Sequence, residues 1–197
     1  MPTTITSAGI TFNDATTLTS ADGVPSAVKL QTARTINGVS FDGTADITAP
    51  ALTSATAQTA SGTSVDFTGI PSWVKRITVM FYNVSTNGSS PVMVQLGKSS
   101  GVVTSGYLGS ANGSNFTTGF TDNIGTSPTF RHGMHIITLL SSNIWIAGVT
   151  MGSSGTTPAN NPGGFSVDVG GTLDRVRITT QNGTDLFDAG TINIMYE

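Results

Sequence analysis

Two histidines, His132 and His135, are the only imidazole groups of the chain, and they lie three positions apart with Gly133 between them. Imidazole is the commonest metal-ligating side chain in proteins. In a β-strand, side chains three positions apart point to opposite faces, so a strand would separate the two rings. A bend at Gly133 is the alternative, because it would bring both rings to one metal ion. We expect ordinary hydrogen bonds for both rings and no metal or other cofactor.

Catalytic side chains are the second kind of chemistry that the sequence could hold. Serines are numerous, but we expect none in a G-x-S-x-G nucleophile elbow, and because both histidines lie close together in one segment we expect no serine paired with a histidine base. Cleavage of glycans needs two carboxyl groups about 5 to 9.5 Å apart. The candidate carboxyl groups are Asp66, Asp122, Asp168, Asp174, Asp185 and Asp188. We interpret Asp174, Asp185 and Asp188 as turn caps or ion-pair partners, and we expect a protein that is not an enzyme.

A glycine-rich and asparagine-rich stretch between residues 105 and 127 holds the best candidates for ligand binding. They are Tyr107, Asn112, Asn115, Phe116 and Phe120. Aromatic rings stack on the apolar faces of sugars, and asparagine both donates and accepts hydrogen bonds. The alternative is a connecting loop whose rings are buried anchors. Trp73 and Trp145 lie in apolar strand patterns, and we expect both in the core rather than in a sugar site.

The composition limits the classes of function. Charged residues make up 10% of the 197 residues, the net charge is −3, and cysteine is absent. A phosphate-binding surface needs clustered lysine and arginine, so we expect no nucleic-acid partner. Without cysteine there is neither a disulfide framework nor a zinc-thiolate site. No apolar run approaches the roughly 18 residues of a membrane span, and Met1 to Thr4 carry no secretory signal, so we expect synthesis in a cytoplasm and no membrane insertion.

The chain divides into two regions by composition. Residues 1–60 contain few large apolar side chains, and we expect an extended N-terminal stalk that intertwines with other copies of the chain. Residues 61–197 carry short strand patterns separated by turn residues, and we expect an antiparallel β-sandwich, jelly-roll-like, with about nine strands. Within it, we expect a hairpin formed by residues 73–84 and 92–96, a strand pair formed by 130–140 and 143–151, and a long loop over 152–164.

Four stretches carry a resemblance to bacteriophage tail-fibre proteins. Residues 33–48 (ARTINGVSFDGTADIT) pack two glycine turns, Asn37-Gly38 and Asp42-Gly43, around short β-branched and aromatic segments. Residues 64–79, 171–180 and 188–197 resemble a tip domain of such fibres. The resemblance implies a homotrimer in the virion, with its N-terminal region attached to other tail or baseplate proteins and its C-terminal domain distal. It implies no ligand residues.

We therefore expect a receptor-binding tail-fibre protein that recognises a bacterial surface glycan during host adsorption. The loops over 105–127, 84–91 and 152–164 are the expected specificity regions, since loops on a rigid scaffold often carry function. The alternative is a structural baseplate or fibre-tip adaptor that binds another virion protein. A polysaccharide-degrading enzyme is less favoured, because no β-helix repeat is present.

Overall fold

The computed structural model describes residues 4–6, 9–11, 17–18, 30, 32–36, 39–47, 52–125, 129–155 and 158–197. Every regular element among these residues is a β-strand, and every strand pair is antiparallel. The chain forms two compact units, Met1–Ala51 and Leu52–Glu197. The expected all-β, antiparallel class is therefore confirmed.

The first unit contains two small sheets. One joins β1 (Thr4–Thr6), β2 (Gly9–Thr11) and β3 (Thr17–Leu18), and the other is a hairpin of β4 (Arg34–Ile36) and β5 (Val39–Phe41). Asp42 Oδ1 accepts hydrogen bonds from Thr44 N at 3.0 Å and Thr44 Oγ1 at 2.6 Å, and Gly43 adopts φ 89°. These contacts confirm the turn expected at Asp42-Gly43. The turn expected at Asn37-Gly38 lies outside the described residues.

The second unit contains fourteen strands. In chain order they are β6 (Thr53–Ser54), β7 (Gln58–Thr59), β8 (Ser64–Thr68), β9 (Arg76–Thr86), β10 (Val92–Lys98), β11 (Gly101–Val102), β12 (Leu108–Ala111), β13 (Ser114–Asn115), β14 (Phe120–Thr121), β15 (Thr129–Ser141), β16 (Ile144–Gly155), β17 (Ala159–Asp168), β18 (Arg175–Thr180) and β19 (Phe187–Tyr196). The larger sheet has the order β13-β12-β17-β16-β15-β9-β19-β6, with β7 also on β19. The smaller sheet has the order β11-β10-β18-β8, with β14 also on β10.

One hydrophobic core contains the inward side chains of both sheets. Val79 and Ile137 of the larger sheet and Leu96 and Ile178 of the smaller sheet are fully buried in it. Alternate residues along each strand point inward, as expected where two sheets share one core. The second unit is therefore arranged as a β-sandwich.

The start of the second unit differs from the expected boundary between residues 60 and 61. β6 and β7 lie before that boundary, yet both pair with β19. Ala60 is also part of the hydrophobic core. Residues 52–60 therefore belong with the sandwich.

The expected hairpin of residues 73–84 and 92–96 is wrong. β9 pairs with β15 and β19 in the larger sheet, whereas β10 pairs with β18, β11 and β14 in the smaller one. The connection from Asn87 to Pro91 therefore crosses between the two sheets. A turn sequence marks a change of direction and does not determine which strand becomes the neighbour.

The long loop expected over residues 152–164 is also wrong. β16 and β17 extend through most of this segment and pair from Ile144↔Asp168 to Ser153↔Ala159. Pro162 lies within β17, opposite Thr150. The glycine and proline residues of this segment predicted a loop. In the structure, Pro162, Gly163 and Gly164 lie within the strand ladder that β17 forms with β16.

Candidate functional site

The three aromatic residues expected to bind a ligand are core residues. Tyr107 and Phe120 are 0% exposed, and Phe116 is 8% exposed. The edge of one ring of the Tyr107–Phe120 pair meets the face of the other, with centroids 5.1 Å apart. The structure therefore corrects the expectation of a sugar-stacking loop, because all three rings belong to the hydrophobic core of the sandwich.

The Tyr107 hydroxyl has a structural function. It accepts a hydrogen bond from Leu96 N at 2.8 Å and donates one to Val103 O at 3.1 Å. Burial raises the pKa of Tyr107 well above its ordinary value, so the phenol stays neutral. The ring and its hydroxyl anchor the segment after β11 to the smaller sheet.

Asn112 and Asn115 are exposed, whereas the three rings are buried. Asn112 has φ 45° in the two-residue turn between β12 and β13, a conformation that asparagine tolerates better than most residues. Its backbone N–H donates to Pro162 O at 3.2 Å. Asn112 is explained by turn geometry, and Asn115 remains an exposed strand residue.

The two histidines lie on opposite faces of β15, as expected from their spacing. His132 is on the outer face, where its Nε2 lies 3.0 Å from Ser154 Oγ. His135 is fully buried, neither ring nitrogen has a hydrogen-bond partner, and burial lowers the pKa of His135 to about 3. The expected hydrogen bond is confirmed for His132 and wrong for His135. Within the described ranges, no three His, Cys, Asp or Glu side chains cluster as metal ligands do.

The two tryptophans differ in burial. Trp145 is a core residue as expected, but Trp73 is 40% exposed, so its core assignment is wrong. Trp73 precedes β9 and packs against Tyr196, with ring centroids 5.9 Å apart. Its position outside the strand removes it from the inward alternation of β9.

The candidate carboxyl groups are held by structural contacts. Asp174 pairs with Arg175 at 2.7 Å, and Asp188 accepts a hydrogen bond from Ser85 Oγ. Asp122 is buried with Arg131, whose Nε lies 2.7 Å from Asp122 Oδ2. Burial raises the pKa of Asp122 against the opposing effect of Arg131. These contacts confirm the structural interpretation of Asp174 and Asp188.

The expectation that no serine occupies the G-x-S-x-G pattern is wrong for Ser99, although the structure there is not a nucleophile elbow. Ser99 is the serine of a G-x-S-x-G stretch that runs from Gly97 to Gly101. In a nucleophile elbow this stretch turns from a strand into a helix. Here it forms the turn between β10 and β11, and the described part of the chain contains no helix. Ser99 lies between two strands of the smaller sheet, whereas β15, which carries both histidines, belongs to the larger sheet.

A polar groove on the outer face of the smaller sheet brings together several hydrogen-bonding side chains. It encloses about 280 Å³. Its lining residues are Thr63, Ser64, Met93, Gln95, Arg177, Thr179, Thr180, Gln181, Asn182 and Gly183. The strand pairs Ser64↔Thr179 and Met93↔Thr179 form its floor. We refer to these residues as the polar groove.

Arg177 lies in the polar groove, and its ion-pair partner Asp66 lies beside the groove on β8. Arg177 Nε donates to Asp66 Oδ1 at 2.8 Å, and Arg177 Nη2 donates to Asp66 Oδ2 at 2.7 Å. The two side chains are directly opposite each other on β18 and β8 and are 40% and 37% exposed. The hydrogen bonds to Asp66 raise the pKa of Arg177. Such parallel bonds fix both planar groups in one orientation.

A hydrogen-bonded turn forms one end of the polar groove. Asn182 Oδ1 accepts hydrogen bonds from Thr180 Oγ1 and from the backbone N–H groups of Thr184 and Asp185. Asn182 Nδ2 donates to Asp185 Oδ1 at 2.6 Å, and this bond, together with one from Ser90 N, lowers the pKa of Asp185. This turn confirms that Asp185 is a turn residue. It also holds the end of the polar groove in place.

One part of the polar groove, the outward polar side chains of β18, was predictable from the sequence. In β18, Arg175, Arg177 and Thr179 alternate with buried Val176 and Ile178. The polar set therefore faces outward by the two-residue period of a strand. What the sequence did not supply was the pairing of β18 with β8 and β10, which places Asp66 and Gln95 beside Arg177.

The outer face of the larger sheet is apolar by comparison. Met134, Ile136 and Ile146 lie on adjacent strands and are 36–41% exposed. Tyr82 and Leu108 are the most exposed large hydrophobic side chains, at 73% and 68%. We refer to these five residues as the apolar face. Exposed apolar side chains on adjacent strands, as Met134, Ile136 and Ile146 are, are typical of protein contact surfaces.

Comparison of the chain with models of known families, with curated proteins and with solved structures finds no match. Across the described ranges, no helix is long and apolar enough to cross a membrane. The functional assignment therefore depends on the residues and geometry of this chain.

Proposed function

We propose that this chain is the receptor-binding tip protein of a phage tail fibre and that it binds a bacterial surface glycan without cleaving it. The observation that carries the proposal is the polar groove, where hydroxyl, amide and guanidinium groups lie over a floor built from paired strands, with the Asp66 carboxylate beside Arg177. The resemblance of four sequence stretches to tail-fibre proteins gives the biological setting.

Glycan binding suits the chemistry of the polar groove. A sugar presents hydroxyl groups that donate and accept hydrogen bonds, and the groove offers both functions. Gln95 Nε2 donates to Thr118 O at 2.8 Å, which leaves its Oε1 as an acceptor. Thr179 Oγ1 donates to Thr63 O at 2.9 Å and keeps its own lone pairs. Met93 supplies an apolar portion of the floor.

The proposal includes a homotrimer in the virion with a jelly-roll-like tip. The N-terminal region would be the intertwined stalk, attached to other tail or baseplate proteins. Three copies of a weak site raise the overall affinity through effective concentration. Light scattering at micromolar concentration should give the mass of three chains, and a folded monomer would contradict this part of the proposal.

A structural adaptor is the second candidate function, and the apolar face is the observation that favours it. Met134, Ile136 and Ile146 offer no hydrogen bonds to a sugar but suit contact with another protein. In that case the polar groove would bind nothing, and another virion protein would cover the apolar face.

A binding experiment separates the two candidates. The full chain is applied to an array of bacterial polysaccharides and lipopolysaccharides, beside the variants Arg177→Ala and Arg76→Ala. Arg76 is the matched control, because it is also a half-exposed arginine in an ion pair, with Glu197 at 3.1 Å, but it belongs to the larger sheet. Binding that is lost in Arg177→Ala and kept in Arg76→Ala supports the proposal. A folded protein that binds no glycan would refute it.

A further inference from the structure

The polar groove has no uncompensated charge. Arg177 is the only charged residue among those that line it, and Asp66 neutralises it with two parallel hydrogen bonds. The neighbouring Arg175 is paired in the same way with Asp174, through Nε at 2.7 Å and Nη2 at 3.3 Å. A ligand therefore meets hydrogen-bonding groups and no free cation.

This charge balance disfavours acidic sugars. A uronate or sialate carboxylate that approached Arg177 would lie beside the Asp66 carboxylate. Two neighbouring negative charges repel each other. To accept the ligand, Arg177 would have to give up its two bonds to Asp66. That exchange replaces one carboxylate by another and leaves Asp66 without its partner.

The same pair suits a neutral diol. Among the described residues, nothing pairs with Arg177 Nη1, so its N–H groups remain available as donors. The Asp66 oxygens keep lone pairs after accepting one guanidinium bond each. The guanidinium and carboxylate therefore present a donor and an acceptor side by side. Two hydroxyls on adjacent sugar carbons match them, since one hydroxyl accepts from Arg177 and the other donates to Asp66.

The dimensions agree with a short glycan segment. The groove volume of about 280 Å³ lies near the lower end of ligand sites, which begin at about 300 Å³ for drug-sized molecules. Gln95 lies opposite Arg177 on β10 but is buried, so the exposed charged pair of Arg177 and Asp66 supplies the contacts to the sugar. The turn around Asn182 closes the far end.

We propose that the polar groove binds neutral glycans through a vicinal diol held by Asp66 and Arg177, and that it rejects uronate-containing and sialate-containing polymers. This inference rests on the proposed glycan-binding function and specifies its ligand class. Because the binding groups carry no net charge, the affinity is expected to change little between low and high salt.

The experiment compares the full chain with Asp66→Asn and Arg177→Gln on neutral and acidic polysaccharides of a bacterial glycan array, with soluble mannan, dextran and alginate as probes. The wild type should bind neutral glycans only. Each variant should weaken that binding about tenfold or more, the effect of losing a hydrogen bond to a charged group. Asp66→Asn should also gain binding to alginate, because it leaves Arg177 without its counter-charge.

Glu197→Gln is the matched control for this gain. It removes the partner of Arg76 on the larger sheet, so it also unpairs an exposed arginine. This variant should keep neutral-glycan binding and gain no more than weak affinity for alginate. An equal gain in both variants would show non-specific attraction and overturn the inference.

The remaining outcomes separate the inference from the proposed function. Wild-type binding to acidic glycans alone would overturn the neutral-diol inference and leave glycan binding standing. Neutral binding that neither variant changes would place the site elsewhere and overturn the inference as well. A folded wild type that binds nothing on the array would refute both. Circular dichroism of each variant confirms that the sandwich is retained.

Discussion

Replacing His135 by leucine should stabilise the second unit and remove part of its sensitivity to acid. His135 lies on β15 between Val79 and Val149 of the neighbouring strands, and its ring packs against Phe81 with centroids 5.3 Å apart. Both ring nitrogens are buried without a hydrogen-bond partner. Leucine has a similar size, suits this apolar surrounding and needs no partner.

The size of the effect follows from the pKa of His135, which burial lowers from 6.5 to about 3. The unfolded chain therefore binds a proton more readily than the folded one, and stability falls as the pH drops below about 6.5. At pH 5 the loss amounts to about 2 kcal/mol, since each pH unit below 6.5 contributes roughly 1.4 kcal/mol. At pH 7 the leucine variant should gain about 1–3 kcal/mol, the desolvation cost of an unsatisfied buried group.

The assay is urea denaturation at pH 7, 6 and 5, followed by the fluorescence of the buried Trp145. Carboxyl titrations occur in both proteins and cancel in the difference between wild type and His135→Leu. That difference should widen by about 2 kcal/mol from pH 7 to pH 5. His132→Gln is the control and should keep the wild-type pH dependence. The reasoning is refuted if the difference is constant with pH, or if leucine destabilises the protein at pH 7.

Three further predictions concern the core and the start of the sandwich, and urea denaturation measures each. Tyr107→Phe should cost about 1–3 kcal/mol, because it leaves a buried backbone N–H without its acceptor; an unchanged midpoint would contradict this. Asp122→Asn should cost about 3–5 kcal/mol, because it leaves the charge of Arg131 buried and uncompensated, whereas a neutral result would show that water or another group reaches it. A chain that starts at Ser61 should unfold at lower urea than one that starts at Leu52, since it lacks the two strands that pair with β19; equal midpoints would argue against their contribution.

The alternation of buried and exposed side chains along β9 was predictable from the sequence as far as Tyr82. Ile77, Val79 and Phe81 are buried, as their two-residue spacing indicates. The pattern then breaks, because Asn83 is exposed with φ 55° and Val84 is buried in its place. Gly190 on β19 has φ 97°, and a side-chain carbon there would lie 2.4 Å from Asn83 O. The pairing of β9 with β19 therefore contains a β-bulge at this point. Because the two strands are distant in the chain, the sequence of either strand alone does not predict the bulge.

The aromatic residues of the 105–127 segment show a second limit of sequence reasoning. Glycine, serine and asparagine around Tyr107 and Phe120 predict a surface loop, and many of the residues there are exposed. The rings nevertheless enter the core, because a large apolar side chain gains more from burial than its polar neighbours lose. Local composition predicts that a segment forms a loop. Whether an aromatic side chain in that loop is buried depends on the core that other strands form.

Under the proposed function, specificity is to be sought in the polar groove rather than in the 105–127 segment. Its residues lie mainly on β8, β10 and β18, whose inward neighbours Val65, Leu96 and Ile178 form the core. Because inward and outward positions alternate, an outward residue such as Arg177 can be replaced while the inward packing remains. The aromatic residues of the loop lack this freedom, since their side chains are themselves part of the core. A change of ligand is therefore easier to obtain on the strands of the smaller sheet than at the rings of the 105–127 segment.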